Sequence, residues 1–222
     1  MVTSDILQNV FLIKYGNEFG TCFRISFDNE DYLITAKHLF NATQHNSIVE
    51  FEILKDTGWI KLMATFFEHE NNDIDIAVLA LKTNQIKENK FNLKGSYYLS
   101  QECFFLGFPF GLKMDSGNLN SEFPIPFVKG GIISSFITDS LKNMTRIFID
   151  GHNNPGFSGG PVVVKDQSTP GENKMSIIAV VSAYLNEKKK IKTPYGEISN
   201  QENSGIVISY SIKHVFEILE RK

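Results

Sequence analysis

The chain has 222 residues, of which 42% are hydrophobic and 21% are charged. These values are typical of a globular protein, and a chain of this length can bury a core without disulfides or metal ions. Its 22 basic residues face 25 acidic ones, for a formal net charge of −3, which gives no reason to expect a nucleic acid or an anionic membrane as a partner.

The two cysteines, Cys22 and Cys103, stand in the apolar segments GTCFRI and QECFFLGF. We predict two buried thiols rather than a disulfide or a metal site. The first fifteen residues contain Asp5 and no basic stretch, and no run of 18 apolar residues occurs. The sequence therefore predicts neither a signal peptide nor a membrane-spanning helix, and we expect a cytoplasmic protein.

Short segments rich in Val, Ile, Phe and Tyr follow one another along the chain, separated by Gly, Asn, Asp and Pro. They predict strands at Val10–Tyr15, Cys22–Phe27, Asp31–Thr35, Ser47–Leu54, Trp59–Phe66, Asp75–Leu81, Glu102–Gly107, Phe127–Phe136, Arg146–Asp150, Gly160–Val164, Met175–Ala183 and Gly205–Ser211. A helical period appears only in SIKHVFEILERK at the end, with Ser211 as a plausible cap. This pattern predicts an all-β fold of antiparallel barrels or a sandwich, followed by one helix.

Two polar segments interrupt this pattern. Ile86–Lys94 could link two halves of six strands each. Asn186–Asn203, with EKKK at 187–190, is predicted to be a solvated loop, and a basic recognition patch is the less favoured alternative.

The segment GHNNPGFSGGPVVV (151–164) surrounds Ser158 with glycines and prolines. Glycines allow backbone angles that a Cβ resists, so such a turn can point the N–H groups of Gly156 and Ser158 at one spot. Alone, the motif would more often be a turn with an exposed serine. Serine nucleophiles, however, need a base and an acid that orients the base, and the chain offers His38 in LITAKHLF and Asp75 at the head of DIAVLAL.

The order His, Asp, Ser is one of those known for this chemistry. Asp73 competes with Asp75 for the role of the acid, but the apolar run IAVL directly follows Asp75. We therefore expect Asp75 to be the residue that orients the imidazole.

Six blocks resemble those of the chymotrypsin-like (trypsin-like) serine peptidases, most closely the HtrA/Deg-type peptidase domain. They follow the family's order and cover about residues 10 to 219: GTCF with LITAKHLF, DIAVLAL, LGFPFGL, KGGIISS, IDGHNNPGFSGGPVV and GIVISYSIKHVFEIL. The resemblance implies two perpendicular six-stranded antiparallel β-barrels with the active site between them. Residues 1–90 would carry His38 and Asp75, and residues 91–222 would carry Ser158 and the terminal helix.

By the same resemblance, the chain would be a serine endopeptidase acting on a protein or peptide. His38 would be the general base, Asp75 its orienting acid and Ser158 the nucleophile, and the N–H groups of Gly156 and Ser158 would form the oxyanion hole. No metal or organic cofactor is implied.

The resemblance also assigns a pocket for the substrate side chain that precedes the cut bond. His152 would lie at its base, with walls from Asn153 to Phe157, from Ser182, Ala183 and Tyr184, and from Gly205. A neutral imidazole would suit an uncharged, medium-sized side chain, and a protonated one Glu or Asp. A preference for Arg or Lys is the least expected, and His152 as a mere space-filler is a further alternative.

The remaining histidines, His45, His69 and His214, stand in polar or helical contexts. We expect them to be structural or surface residues and predict no zinc site from them.

Three departures from the family pattern bear on function. Cys22 stands where the family usually has Gly, and Leu39 follows the histidine where secreted relatives commonly have Cys, which agrees with a reducing compartment. The chain ends at Lys222, where HtrA-type proteins normally continue into a PDZ domain. Two alternatives to a constitutive peptidase therefore remain. One is a catalytically silent module that binds a peptide or partner, and the other is a latent peptidase of a bacterial stress or defence system that an activating partner protein switches on.

Overall fold

The computed structural model describes residues 1–82, 93, 96–116, 120–166, 174–193 and 196–222. Twelve strands lie in these residues: β1 (Val10–Tyr15), β2 (Glu18–Phe27), β3 (Glu30–Thr35), β4 (Ser47–Lys55), β5 (Gly58–Glu68), β6 (Ala77–Leu81), β7 (Glu102–Gly107), β8 (Phe127–Asp139), β9 (Met144–Asp150), β10 (Pro161–Lys165), β11 (Met175–Thr193) and β12 (Gly196–Ser211). The helices are α1 (Ser4–Leu7) and α2 (Lys213–Leu219), with 3₁₀ turns at Lys37–Phe40 and Pro109–Gly111.

The strands form two closed antiparallel barrels of six strands each. The first has the order β1-β2-β3-β6-β5-β4, and the second has the order β10-β11-β12-β9-β8-β7. This architecture, followed by α2, confirms the predicted all-β, chymotrypsin-like fold. Most strands lie where the sequence pattern places them, because each predicted segment is rich in apolar side chains that the barrels bury, and Gly, Asn, Asp and Pro separate the segments.

Aromatic side chains fill much of the interior. The first barrel encloses Phe11, Phe40, Phe51 and Phe66, each at most 2% exposed. Phe105 and Phe157 lie in the core of the second barrel, with ring centroids 5.2 Å apart in an edge-to-face arrangement.

A third cluster joins the two barrels and α2. Phe23 and Ile25 of β2 share it with Phe108 and with Val215 of α2, and all four side chains are fully buried. The helix therefore packs into the junction between the two barrels rather than hanging from the end of the chain.

The charged segment at 186–203 is not a loop, as the sequence had suggested, but a two-stranded ribbon. Strands β11 and β12 pair from Asn186↔Asn203 to Thr193↔Gly196, so β11 reaches ten residues beyond its predicted end at Ala183. Residues 186–190 are all exposed. The described side chains at 186–190 and 199–201 are exposed on both faces, so this part of the ribbon has no alternation of buried and exposed residues that a sequence could reveal.

Smaller differences concern the ends of elements. Helix α1 was not predicted, and Asp75 lies just before β6 rather than inside it. Ile212 caps α2, while the Ser211 hydroxyl accepts a hydrogen bond from the Lys213 N–H at 3.4 Å. The predicted linker 86–94 and the predicted boundary at residue 90 lie outside the described residues, apart from residue 93. No helix in the described residues is long and apolar enough to cross a membrane.

Candidate active site

Strand pairing brings His38 and Asp75 together. Strands β3 and β6 are antiparallel neighbours with Thr35 opposite Ala77, so the residue three positions after Thr35 and the residue two positions before Ala77 emerge at the same edge of the barrel. His38 Nδ1 lies 2.7 Å from Asp75 Oδ2, and the His38 backbone N–H donates to Asp75 Oδ1 at 2.8 Å. Two contacts therefore fix the carboxylate relative to the ring.

Asp73, the other candidate acid, points elsewhere. Its carboxylate accepts from Lys142 Nζ at 2.6 Å, and both side chains are more than half exposed. Of the two aspartates, the structure brings only Asp75 to His38.

Opposing effects act on the His38 ring. Burial favours the neutral form, but the hydrogen bond from Asp75, its charge, and a smaller contribution from the charge of Glu18 outweigh burial and raise the pKa of His38 above its ordinary value. Because Nδ1 faces the carboxylate, Nε2 is the nitrogen left to exchange a proton with another group. An imidazole held in this way can act as a general base.

Ser158 lies in the loop between β9 and β10, and close packing explains its glycines. Gly156 and Gly159 have φ angles of +105° and +84°. A Cβ on Gly159 would lie 2.1 Å from the carbonyl oxygen of Thr21, and a Cβ on Gly160 would lie 2.0 Å from that of Leu106. The backbone of the loop thus lies directly against backbone from both barrels, with no room for side chains.

Thr21 of β2 holds this loop from the first barrel. Its N–H donates to the Ser158 carbonyl at 2.8 Å, and its hydroxyl donates to the Gly156 carbonyl at 2.6 Å. The same hydroxyl accepts from the Phe108 N–H at 3.2 Å. One side chain therefore ties together the loop around Ser158, β2 and the segment after β7.

Two backbone N–H groups of this loop find no acceptor in the part of the chain that the structure describes. The N–H groups of Phe157 and Gly159 donate to the carbonyls of Asn154 and Val181, at 3.2 and 2.7 Å. Those of Gly156 and Ser158 make no hydrogen bond within the described part of the chain. Such unpaired donors next to a nucleophile can stabilise an oxygen that becomes negative.

Ser182, predicted only as part of a pocket wall, contacts two of the key residues. Its hydroxyl donates to Asp75 Oδ2 at 2.5 Å, and its carbonyl accepts from the Ser158 hydroxyl at 3.1 Å. No hydrogen bond joins Ser158 to His38 among the described residues. The structure thus holds Ser158 and Asp75 on either side of Ser182, with the serine hydroxyl turned toward a carbonyl rather than toward the imidazole.

The predicted pocket residues lie in different environments. The side chain of His152 is exposed, whereas that of Phe157 is fully buried in the core of the second barrel. Asn153 is also buried, and its amide donates to the carbonyl of Ala183 at 3.3 Å. Its role in the structure is thus to fix the loop to β11.

The other three predicted wall residues lie on β11 and β12. Ala183 is exposed and Tyr184 is half-buried. Gly205 has a φ of +79°, and its carbonyl accepts from the Gly151 N–H at 2.8 Å, which joins β12 to the start of the loop around Ser158.

Lys129 of β8 is a neighbour of this loop that the sequence did not suggest. Its ammonium donates to the His152 carbonyl at 2.6 Å and to Asn154 Oδ1 at 2.7 Å, and lies 5.7 Å from the centre of the Phe157 ring. Partial burial lowers the pKa of Lys129. Nothing in the sequence marks this lysine, because its partners are 23 or more residues away.

The cysteines are buried, as predicted. Cys22 is 0% exposed within the first barrel, so its side chain does not line the site, and burial raises the pKa of its thiol. Burial also raises the pKa of Cys103 to about 12.

His69 and His214, which the sequence predicted to be structural or surface residues, lie next to each other in the structure. Both are buried, and both contact the carboxylate of Glu217. The two histidines come from segments 145 residues apart that α2 brings together, so their proximity could not be read from the sequence.

Comparisons with known proteins agree with the observed fold. The family model of the trypsin-like peptidase domain matches residues 20–169. No protein among the curated sequences matches the chain significantly. Solved structures similar to the chain include the HtrA-type protease AlgW with a tripeptide (20% identity, TM-score 0.62, 98% of this chain and 60% of that one). Another is an inactive form of Rv3671c from M. tuberculosis (15% identity, TM-score 0.60, 97% of this chain and 87% of that one). A third is a serine endoprotease from Yersinia pestis (17% identity, TM-score 0.62, 100% of this chain and 67% of that one). The chain thus spans about 60% of the length of AlgW.

Proposed function

Because the chain belongs to the trypsin-like peptidase family, we propose that it is a serine endopeptidase that cleaves peptide bonds through an acyl-enzyme on Ser158. The observation that carries this proposal is the 2.7 Å contact between His38 and Asp75, which Ser182 links to Ser158, in a loop where the N–H groups of Gly156 and Ser158 have no acceptor among the described residues. These are the base, the acid, the nucleophile and the oxyanion donors that the reaction needs.

The steps follow from the roles of these groups. The Ser158 oxygen attacks the carbonyl carbon of the peptide bond while His38 Nε2 takes the hydroxyl proton. The carbonyl oxygen becomes negative and accepts hydrogen bonds from the N–H groups of Gly156 and Ser158. As the C–N bond breaks, His38 returns the proton to the leaving amine, and the acyl group stays on Ser158. A water molecule, deprotonated by His38, then releases the acid and restores the serine.

Asp75 supports both proton transfers by orienting and stabilising the His38 ring. It holds Nδ1 of His38 so that Nε2 faces the nucleophile, and its charge stabilises the imidazolium that forms in each step. The hydroxyl of Ser182, which donates to Asp75 at 2.5 Å, fixes the carboxylate from the side of the second barrel.

One observation favours a second candidate, a latent peptidase switched on by a partner. The Ser158 hydroxyl donates to the carbonyl of Ser182, so attack requires it to turn about the Cα–Cβ bond toward His38. A partner protein that stabilises the turned state would increase activity. Comparing cleavage by the chain alone and in the presence of other proteins of its cell tests this idea. Full activity of the chain alone would contradict it.

We also propose that the substrate is a protein or peptide whose side chain before the cut bond is uncharged or acidic. No acidic residue lies at position 152, and the positive charge of Lys129 is held against the segment from His152 to Asn154. Both features disfavour Arg or Lys as the substrate residue before the cut bond. The cytoplasmic location stays a prediction from the sequence.

Profiling a peptide library with the wild type and with Ser158→Ala tests the main proposal. We expect the wild type to cleave and to be labelled at Ser158 by a fluorophosphonate, and Ser158→Ala to lose activity by at least about 10³-fold. Ser134→Ala, which changes an exposed serine of β8, is the matched control and should leave activity unchanged. Cleavage by Ser158→Ala at the wild-type rate would refute the proposal.

A further inference from the structure

A polar cluster joins α2 to the loop that carries Asp75. The loop, residues 69–76, connects β5 to β6 and is called here the acid loop. His69 at its start is 3% exposed, and His214 of α2 is 0% exposed. Oε2 of Glu217 lies 3.0 Å from His69 Nε2 and 2.6 Å from His214 Nδ1. One carboxylate oxygen therefore contacts two buried imidazoles.

The other nitrogen of each ring reveals where its proton is. The Asn71 backbone N–H donates to His69 Nδ1 at 3.0 Å, and the Thr145 backbone N–H donates to His214 Nε2 at 3.0 Å. A nitrogen that accepts a hydrogen bond has no proton, so each ring bears its proton on the nitrogen facing Glu217. Both imidazoles are thus neutral, and they are opposite tautomers, Nε2–H in His69 and Nδ1–H in His214.

This assignment argues against a metal ion, although two histidines and a carboxylate could otherwise bind one. A metal would need lone pairs on the nitrogens that face Glu217. The protons would then move to the nitrogens that now accept from backbone N–H groups, whereas a metal-binding histidine normally donates from that second nitrogen. The donor pattern suits a carboxylate bound by two N–H groups, and not a cation.

Short hydrogen bonds continue from this cluster toward Asp75. The Asn71 carbonyl accepts from the Ile74 N–H at 3.0 Å, and Asn71 Oδ1 accepts from the Asp73 N–H at 3.0 Å. Ile74, fully buried, is the direct neighbour of Asp75. His69 thus accepts a hydrogen bond from the turn that immediately precedes Asp75.

We propose that His69, Glu217 and His214 form a proton-sensitive latch that positions Asp75 by holding the acid loop against α2. The inference rests on the proposed function only in that Asp75 must orient His38. Protonating either ring would place an N–H against a backbone N–H about 3 Å away, so the latch opens in acid. Residues of the latch touch no reacting atom and are positioning residues.

The surroundings of the latch favour a neutral His214 and an ionised Glu217. Burial, together with the nearby charge of Lys213 and the neighbouring His69, outweighs Glu217 and lowers the pKa of His214. Although burial opposes ionisation of Glu217, its hydrogen bonds with the two histidines lower its pKa. Because the pKa of His214 is lowered by folding, the latch stabilises the fold above the ordinary histidine pKa of 6.5 and loses this contribution as the pH falls below it.

Other groups near the latch are already paired or distant from the rings. Asn143 donates to the second oxygen of Glu217 at 3.2 Å. The remaining charged groups around it form their own ion pairs, Arg221 with Glu70 and Lys37 with Glu68, and His45 contacts the Glu68 N–H. A cavity of about 330 Å³ reaches His69 and Glu217, so protons from solvent have access to them.

Nitrogen-15 NMR of the histidine rings in the full chain tests the latch without requiring activity. At pH 7.5 we expect two neutral rings of opposite tautomer, and loss of the His214 signature as the pH falls below 6.5. Adding Zn²⁺ should leave the signals of both rings unchanged. A cationic ring at pH 7.5, two rings of the same tautomer, or a shift of these signals by Zn²⁺ would overturn the proposal.

Activity gives the second measurement, with Glu217→Gln compared with Glu220→Gln, which removes an exposed carboxylate next to α2. For Glu217→Gln we expect kcat to fall about 10-fold with KM unchanged, because a displaced Asp75 weakens catalysis and not binding. In the same variant, the pH at the midpoint of the acid limb of kcat/KM should also fall, because a displaced Asp75 raises the pKa of His38 less. If both variants behave alike, Glu217 does not position Asp75. If the wild type does not cleave at all, the proposed function fails, and the ring signals still decide on the latch.

Discussion

Replacing Thr21 with valine removes one hydroxyl and keeps the size of the side chain. Thr21 is 0% exposed, and its hydroxyl joins the Gly156 carbonyl to the Phe108 N–H. Valine leaves both backbone groups without this partner in a place that water does not reach easily. Gly156 also loses the contact that fixes it from the first barrel. We therefore expect Thr21→Val to lower both stability and activity.

The size of the effect follows from the two lost hydrogen bonds. Leaving a buried polar group unpaired costs about 1–3 kcal/mol, so for two such groups we expect the free energy of unfolding to fall by about 2–6 kcal/mol. For a chain of this size, that corresponds to a decrease in Tm of roughly 4–24 °C. Displacement of the Gly156 N–H should lower kcat by about 10- to 100-fold, somewhat less than complete loss of an oxyanion donor.

Thermal unfolding and steady-state kinetics on one peptide substrate measure both quantities. Thr21→Ser keeps the hydroxyl and should recover most of the activity. Thr65→Val makes the same exchange at a half-buried position of β5 and should change Tm by much less. Wild-type kcat in Thr21→Val, whatever its Tm, would refute the claim that this hydroxyl holds the loop around Ser158.

Three further predictions concern pH, packing and thiol chemistry. Because the pKa of His38 is raised above 6.5, kcat/KM should fall as the pH drops through a midpoint above 6.5, and Asp75→Asn should lower both that midpoint and, by about 10⁴-fold, kcat. Gly159→Ala, whose Cβ would meet backbone at 2.1 Å, should destabilise the fold by about 3 kcal/mol or more, whereas Gly130→Ala, with no contact under 3.9 Å, should not. Neither cysteine should react with a thiol reagent in the native state, and rapid labelling at pH 8 would contradict the burial of both thiols.

Local patterns predicted most of the fold and, at the site, the contact of Asp75 with His38. Segments rich in Val, Ile, Phe and Tyr marked the strands, and the glycines around Ser158 marked a loop that lies against backbone. The choice between Asp73 and Asp75 also rested on a local signal, the apolar run after Asp75. The pairing of β3 with β6 explains its success, because the register sets which aspartate meets His38.

What the sequence did not predict depends on contacts between distant segments. The roles of Ser182 and Lys129 arise because β11 and β8 pass beside the loop around Ser158. Likewise, His69 and Glu217 lie 148 residues apart and meet only because α2 packs into the junction of the barrels. A histidine in a polar stretch gives no hint of such a partner. The ribbon after β11 was missed for another reason, since its described side chains at 186–190 and 199–201 are exposed on both faces.

The division of the site between the two barrels has a practical consequence. Residues 1–82 hold His38, Asp75 and Thr21, while Ser158 and the two N–H groups proposed as oxyanion donors come from the second barrel. If the polypeptide were cut in the segment between β6 and β7, neither fragment would contain all the residues proposed for catalysis. Reassembly of the two pieces could then be followed directly by the return of turnover, which would make the protein a natural starting point for a split reporter.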